Sequence, residues 1–320
     1  LLPDDSKLHI ISTSSLGHFG VILFFVLSGF LITRILISAK GKKNAYKNFL
    51  IRRSLRIFPI YFLVILILLF IEPGRYLAEC AAYISNYTFA FNDNPNPMRH
   101  TWSLCVEEHF YIIWPPIVLF LTMRVSKVCA FVGFPLISII GAFVVYKYFP
   151  DHADALFYRG TNFQVFSLSL GSALAYSEPW LRAHWKRTLL VGGAFLIAGV
   201  GVAGLLKVLN APNFTLKFYG FSIVSAGIVC VFLAINDKGG RLCELLSNPM
   251  TSYIGRISYG LYLYHYPVYY YFGIIDKENL VAGNITAGDI ALATVITFAI
   301  SIASFHLFEK PLLRFKSRFT

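Results

Sequence analysis

The feature that most constrains this sequence is a series of long apolar runs separated by short basic segments. A membrane-spanning helix needs about 20 mostly apolar residues, and the runs lack the strict alternation that marks the strands of a β-barrel. Only 14% of the 320 residues are charged, whereas a soluble domain carries about 25%. The chain is therefore predicted to be all-α, a polytopic helical bundle in a lipid bilayer.

The apolar runs predict about nine transmembrane helices. The second and the fifth are short for a full crossing, so each needs flanking residues or a partly re-entrant path. No internal repeat or low-complexity segment interrupts the series, and residues 1–320 are interpreted as one membrane domain. The predicted spans are 18–38, 57–72, 103–123, 129–149, 161–177, 188–207, 216–235, 252–275 and 286–308.

Basic residues alternate between the two sides of these spans. The segment after the first span is the most basic, with seven Lys and Arg residues between positions 40 and 56. Because Lys and Arg concentrate in cytoplasmic loops, this segment and the C-terminus are predicted to be cytoplasmic. Leu1 then lies outside, with no signal peptide or basic start before the first span. An initial helix is therefore expected to be missing, which gives about ten helices in the full protein.

The net charge of +12 has two explanations, nucleic-acid binding and anchoring in a membrane. The basic residues flank apolar spans and form no continuous patch, so anchoring is favoured and no nucleic-acid partner is expected. The five cysteines include no CxxC pair. Neither a disulfide framework nor a metal site is predicted.

Polar residues at membrane depth require an explanation, and the strongest case opens the third predicted span. There Glu107, Glu108 and His109 follow Trp102 and Ser103. Consecutive helical residues point about 100° apart, so at least one of the three ionisable side chains points to the bundle interior. An interior carboxylate can act as a general base or orient one. A helix cap or a bond to a neighbouring helix is the structural alternative.

A cationic pair lies at the cytoplasmic end of the second span. Arg53 and Arg56 are three residues apart and would share one face of a helix. Guanidinium groups bind phosphate bidentately, so the pair suits a phosphorylated ligand. Anchoring by the positive-inside rule, or contact with anionic lipid headgroups, is the simpler explanation from the residues alone.

Two further segments place polar groups inside predicted spans. His265 lies near mid-membrane in an aromatic-rich span, where a neutral histidine with one partner is the plain interpretation. Ser28 precedes Gly29 in the first span, and such a pair of small residues permits close helix approach.

Taken together in this order, the segments resemble the acyltransferase 3 family of integral membrane acyltransferases. The resemblance runs from about residue 17 to residue 314, and the glutamate segment is its most specific part. The matching segments are FFVLSGFLIT (24–33), RRSLRIFPIY (52–61), HTWSLCVEEHFYIIWP (100–115), GRISYGLYLYHYP (255–267) and FEKPLLR (308–314).

The resemblance implies an activity that composition does not show. Members of the family move an acyl group, most often acetyl, from cytoplasmic acyl-CoA to a hydroxyl of an extracytoplasmic glycan or lipid-linked sugar. Acyl-CoA would be a donor substrate rather than a permanently bound cofactor, and the membrane would be a bacterial inner membrane. A secondary transporter of a small polar or acylated molecule is the alternative, although the inverted repeat common in transporters is not visible.

The resemblance also implies binding roles for individual residues. Arg53 and Arg56 match the family's RxxR pair and would hold the CoA phosphates. Trp102 and Ser103 precede the glutamate as the family pattern expects. These two residues, together with Ser28, are expected to shape the site or contact the substrate.

The expected catalytic residues come from two segments. Glu107 matches the glutamate of the family's SLxxE pattern, with Glu108 beside it, and His265 matches the histidine of YLxHxP. His109 stands where the family more often has Gln, and no role is assigned to it. The family's first helix carries an Arg-x10-His motif whose histidine is regarded as the catalytic base. That motif is absent here, and His18 is not expected to replace it.

Two chemical routes stay open at this point. The acyl group can pass directly from donor to acceptor, or through a covalent acyl-enzyme. The chain contains no GxSxG nucleophile elbow, which favours direct transfer.

Overall fold

A computed structural model describes residues 5–92, 94–208, 213–236, 241–275 and 285–315. All regular structure in these ranges is helical, and they contain no strand. The prediction of an all-α fold is therefore confirmed.

The described residues form fifteen α-helices, numbered here in chain order. They are α1 (Asp5–Ala39), α2 (Ala45–Ile71), α3 (Arg75–Ala81), α4 (Ser85–Phe91), α5 (Trp102–Phe120), α6 (Met123–Val128), α7 (Phe134–Tyr148), α8 (Ala153–Arg159), α9 (Thr161–Ala183), α10 (Trp185–Val208), α11 (Asn213–Asn236), α12 (Arg241–Ser247), α13 (Pro249–Tyr271), α14 (Ala287–Ser304) and α15 (Lys310–Arg314). A π-helical turn joins α6 to α7, and a second joins α14 to α15.

Six segments of the described chain are long and apolar enough to cross a membrane. They are Gly17–Ala39, Ala45–Ile71, Met123–Tyr148, Trp185–Val202, Phe218–Ile235 and Ala287–Arg314. The other three predicted spans are also helical, as α5, α9 and α13. The chain is thus a polytopic membrane protein, while the count of nine crossings stays a prediction. Both spans that looked short borrow flanking residues, because α2 begins at Ala45 and α9 continues to Ala183.

Large apolar side chains cover the outer faces of these helices. Phe70, Leu190 and Ile197 are among the most exposed, at 84%, 74% and 77%. Apolar surface on this scale is unstable in water and marks an interaction or membrane surface. It agrees with helices whose outer faces contact lipid.

Two compact units share the chain. Unit 1 comprises Leu1–Ala45 and Val106–Cys243, and unit 2 comprises Tyr46–Cys105 and Glu244–Thr320. The division falls within α5, near the start of the helix. The interpretation of residues 1–320 as one membrane domain stays a prediction.

Within unit 1, α1 packs directly on α9 through two glycines. A Cβ atom added at Gly29 would lie 2.0 Å from the carbonyl oxygen of Leu168, and one added at Gly171 would lie 1.9 Å from that of Val26. No larger residue fits at either position without moving a backbone, which is how small residues bring membrane helices together. The close approach predicted at Gly29 is confirmed.

Within unit 2, tyrosine hydroxyls attach α13 to its neighbours. Tyr259 donates to the carbonyl oxygen of Ile57 in α2 at 2.9 Å, and Tyr264 donates to Ser304 Oγ in α14 at 2.9 Å. Phenolic hydroxyls are well suited to this because their rings pack with apolar side chains while the oxygen still finds a partner.

Candidate active site

The Glu107 carboxylate is buried and accepts a hydrogen bond from the Ser28 hydroxyl, which belongs to the same unit. The two residues are 4% and 8% exposed. Ser28 stands at the middle of the membrane-spanning segment Gly17–Ala39. A buried carboxylate needs a donor to offset its desolvation, and Ser28 supplies one. The pair joins a residue expected to be catalytic to one expected only to shape the site.

Neighbouring hydrogen bonds hold the helices that carry this pair. Trp114 Nε1 in α5 donates to Thr33 Oγ1 in α1 at 2.7 Å. Thr33 Oγ1 in turn donates to Ser172 Oγ in α9 at 2.9 Å. Thr33 therefore connects α5, α1 and α9, five residues along α1 from Ser28.

The other ionisable residues of this segment diverge from Glu107. Glu108 is also buried, at 8% exposure. His109 Nδ1 lies 2.7 Å from Thr161 Oγ1 at the start of α9 and is only partly buried. The expectation that at least one of the three side chains points inward is confirmed by Glu107. The bond of His109 to a neighbouring helix gives it a structural contact.

A second polar cluster lies in unit 2 and includes Ser103 and His265. Tyr262 Oη donates to the carbonyl oxygen of His100 at 2.8 Å, so Ser103 Oγ, 2.8 Å from the same hydroxyl, acts as the donor to it. Trp102 beside Ser103 is also buried, at 4% exposure. These contacts attach the first turn of α5 to α13.

The backbone contacts of His265 determine its tautomer. Its Nδ1 lies 2.6 Å from the carbonyl oxygen of Tyr262 and 3.2 Å from that of Leu261. A carbonyl oxygen can only accept, so Nδ1 carries the hydrogen. Nε2 is left as the basic nitrogen of the ring, in the form that can take up a proton.

His100 completes the cluster in unit 2. Its ring stacks on Tyr266 at 4.9 Å between centroids and meets His265 edge-on at 5.2 Å. Both of its ring nitrogens are buried. Burial, and then the neighbouring His265, lower the pKa of His100 well below its usual value, although the carbonyl groups of Tyr262 and Leu263 partly oppose this shift. His100 is therefore neutral at pH 7.

The two arginines of the candidate CoA site lie on the third and fourth turns of α2. The guanidinium carbon of Arg53 is 5.8 Å from the centre of the Phe49 ring, within reach of a cation–π contact. Arg56 is exposed. The bond from Tyr259 to the carbonyl oxygen of Ile57 supports α2 beside this pair.

A family model described as an acyltransferase domain, of the acyltransferase 3 type, matches residues 3–306. The match covers nearly the whole chain. The chain belongs to the acyltransferase 3 family. The resemblance seen in its motifs is thereby confirmed, and membership in a family of enzymes favours catalysis over the transporter alternative.

Several curated proteins of similar sequence carry O-acetyltransferase names. The putative peptidoglycan O-acetyltransferase YrhL of Bacillus subtilis is 29% identical over 92% of this chain and 50% of its own length. The peptidoglycan O-acetyltransferase OatA of Listeria monocytogenes is 30% identical over 92% of this chain and 51% of its own length. A putative O-acetyltransferase of Staphylococcus aureus is 25% identical over 79% of this chain and 46% of its own. This chain thus spans about half the length of these relatives, and no solved structure matches it.

The predicted site residues are divided between the two units. Unit 1 contains Ser28, Glu107 and Glu108, and unit 2 contains Trp102, Ser103, His265, Arg53 and Arg56. Among the described residues, no three His, Cys, Asp or Glu side chains are grouped as a metal site requires.

Two features of the structure were not anticipated from the sequence. His100 opens the HTWSL segment, and that position was the signal that could have drawn attention to it. Glu178, 9% exposed, accepts from Arg182 Nε at 2.7 Å and lies 3.2 Å from Arg34 Nε. Glu178 and Arg182 are four residues apart on one helix, a spacing that favours pairing. No feature of the neighbouring sequence indicates that Arg34 also pairs with Glu178.

Proposed function

We propose that this chain is the membrane part of an O-acetyltransferase that moves acetyl from cytoplasmic acetyl-CoA to a hydroxyl of an extracytoplasmic glycan. The observation that carries the proposal is the buried pair of Ser28 and Glu107, halfway along a membrane-spanning segment. Ionisable groups at that depth are expensive and mark function. Peptidoglycan is the first acceptor to test, because two of the similar proteins are named for it.

The donor is bound at the cytoplasmic end of α2 in a bacterial inner membrane. Arg53 and Arg56 pair with the phosphates of CoA, since guanidinium groups give two parallel hydrogen bonds to a phosphate. The exposure of Arg56 supports this role because a soluble donor has to reach it. The same charge pattern keeps the C-terminus in the cytoplasm.

The Glu107 carboxylate acts on the proton of the attacking hydroxyl. A hydroxyl can reach this carboxylate, because it already accepts a hydrogen bond from the hydroxyl of Ser28. His265 Nε2 provides a second basic group, which lies in unit 2. A positioned base contributes about 10²–10⁴-fold to the rate of such a step.

Acetyl transfer in membranes tests the proposal. Membranes containing the complete protein are sealed with radiolabelled acetyl-CoA on the cytoplasmic side, and label in peptidoglycan is counted after the lipid is removed. We expect label with the unmutated protein and at least a 100-fold loss with Glu107→Gln, which keeps the shape of the side chain but cannot accept a proton.

Glu79→Gln is the matched control, because Glu79 pairs with exposed Arg75 outside the predicted site, and this variant should retain full activity. Equal labelling by the protein and by Glu107→Gln would remove Glu107 from the mechanism. Label that crosses the membrane without covalent attachment would replace the proposal with transport.

A further inference from the structure

We propose that Ser28 carries the acyl group from the donor to the acceptor as a covalent ester. This inference rests on the proposed function and selects one of its two chemical routes. It gives the acyl-enzyme route a named residue, whereas the sequence alone favoured direct transfer.

The hydrogen bond between Ser28 and Glu107 has the direction that a nucleophile requires. The hydroxyl donates its proton to the carboxylate, so the lone pairs of Oγ remain free to attack a carbonyl carbon. A serine within hydrogen-bond reach of a base is the arrangement by which enzymes activate this weak nucleophile. Glu107 is itself buried, at 4% exposure.

The position of Ser28 along α1 meets a requirement of the reaction. Ser28 lies eleven residues from each end of the segment Gly17–Ala39, about 16 Å from either end at 1.5 Å per residue. The donor arrives on one side of the membrane and the acceptor on the other. A carrier within the membrane lets the donor and the acceptor react in separate steps.

The surroundings of Ser28 hold it in place. The next residue, Gly29, is pressed against the backbone of α9, where an added Cβ would lie 2.0 Å from an oxygen atom. Farther along α1, Thr33 is hydrogen-bonded to both α5 and α9. A catalytic group held by rigid packing retains the geometry needed for attack.

The two half-reactions balance. In the first, Ser28 Oγ attacks the thioester carbonyl, its proton passes to Glu107, the C–S bond breaks, and the CoA thiolate leaves with that proton as a thiol. In the second, the acceptor hydroxyl attacks the ester while Glu107 takes its proton. The bond between Oγ and the acyl carbon breaks, and Oγ recovers the proton from Glu107. The enzyme returns to its starting state.

A structural role for Ser28 is the competing explanation. In that case the hydroxyl only aims the Glu107 carboxylate, and no acyl group is ever attached to it. The two roles differ in an observable product, an acetylated serine. They also differ in kinetic mechanism, which is ping-pong for a carrier and sequential for direct transfer.

Trapping the ester tests the inference. The purified complete protein is incubated with radiolabelled acetyl-CoA and no acceptor, quenched in acid and digested, and the labelled peptide is identified by mass spectrometry. We expect acetyl on Ser28 in the unmutated protein, at least a 10-fold loss of protein-bound label in Ser28→Ala, and a similar loss in Glu107→Gln. Ser169→Ala is the matched control, because Ser169 is also buried in unit 1 but donates only to a backbone carbonyl.

Initial rates with both substrates varied give a second readout. A carrier predicts parallel double-reciprocal lines, and direct transfer predicts intersecting lines. The inference is overturned if Ser28 stays unlabelled in the unmutated protein, or if Ser28→Ala acetylates glycan at the normal rate. Either result leaves the proposed acetyltransferase standing. Label on Ser28 without transfer to glycan has the opposite meaning, since the carrier is then retained and the glycan acceptor is rejected.

Discussion

Trp114 Nε1 donates a 2.7 Å hydrogen bond to Thr33 Oγ1 inside unit 1. Both side chains are fully buried, at 0% exposure, and Thr33 uses its own hydrogen to reach Ser172. One threonine therefore connects α5, α1 and α9, the helices that also meet around Ser28 and Glu107. Thr33 thereby helps to align Ser28 and Glu107, because it holds together the two helices that carry them.

Thr33→Val should destabilise the protein. Valine keeps the shape of the side chain but removes the acceptor, which leaves Trp114 Nε1–H buried without a partner. Such a group costs about 1–3 kcal/mol. Thermal unfolding in detergent should show a lower midpoint, and acetyl transfer should fall at temperatures where the protein is still folded. An unchanged midpoint in Thr33→Val would show that the bond contributes nothing.

The contact of α1 with α9 should tolerate no side chain at Gly171. In Gly171→Ala the new Cβ would lie 1.9 Å from the carbonyl oxygen of Val26, so the helices must separate. We expect severe loss of folded protein in membranes. Gly193→Ala is the matched control, because an added Cβ there meets nothing within 4 Å and alanine is about 1 kcal/mol better than glycine in a helix. Equal yields of the two variants would contradict the close contact.

The helices were predictable from the sequence, but their partners were not. In a bilayer each backbone group must find its hydrogen bond within its own segment, so the length of an apolar run is enough to predict a helix such as α7. The bond of Ser28 to Glu107 joins residues 79 positions apart. No periodicity relates two residues at such a distance, and only the packing of α1, α5 and α9 brings them together.

The same reasoning explains what was missed at Glu178 and His100. Neither residue was singled out from the sequence, because Glu178 follows a predicted span and His100 opens a longer motif. The structure gives them partners on other helices, Arg34 for Glu178 and His265 for His100. A sequence predicts which residues are expensive to bury, but it does not say which distant residue offsets the cost.

Arg53 and Arg56 should determine the affinity for the donor rather than the rate of the chemical step. Hydrogen bonds to charged groups are worth about 1.5–3 kcal/mol, so Arg53→Gln or Arg56→Gln should raise KM for acetyl-CoA by about 10- to 100-fold and leave kcat within about a factor of three. Added salt should weaken donor binding less in the variants than in the unmutated protein, because the variants have lost one of the charges that salt screens. Arg75→Gln, at a side chain that is 93% exposed, should change neither constant. A fall in kcat with unchanged KM would place the arginines in the chemical step.

His100 should make the protein sensitive to acid. Burial and His265 hold the pKa of His100 well below its usual value, and the other titratable groups that face it are Tyr262 and Tyr266 of α13. Unfolded His100 binds a proton below about pH 6.5, whereas the folded residue stays neutral. The unfolded state therefore binds more protons in this window, and stability falls as the pH falls.

Thermal unfolding at about pH 7.5 and pH 5.5 measures this acid sensitivity. One pH unit below an unfolded pKa of about 6.5 costs roughly 1.4 kcal/mol for such a group. The midpoint should fall less between the two pH values in His100→Gln, whose side chain does not titrate, than in the unmutated protein. His306→Gln, which replaces an exposed histidine bonded to Tyr253, controls for the loss of a histidine elsewhere in unit 2. An identical acid shift in all three proteins would mean that His100 accepts its proton in the folded state without cost.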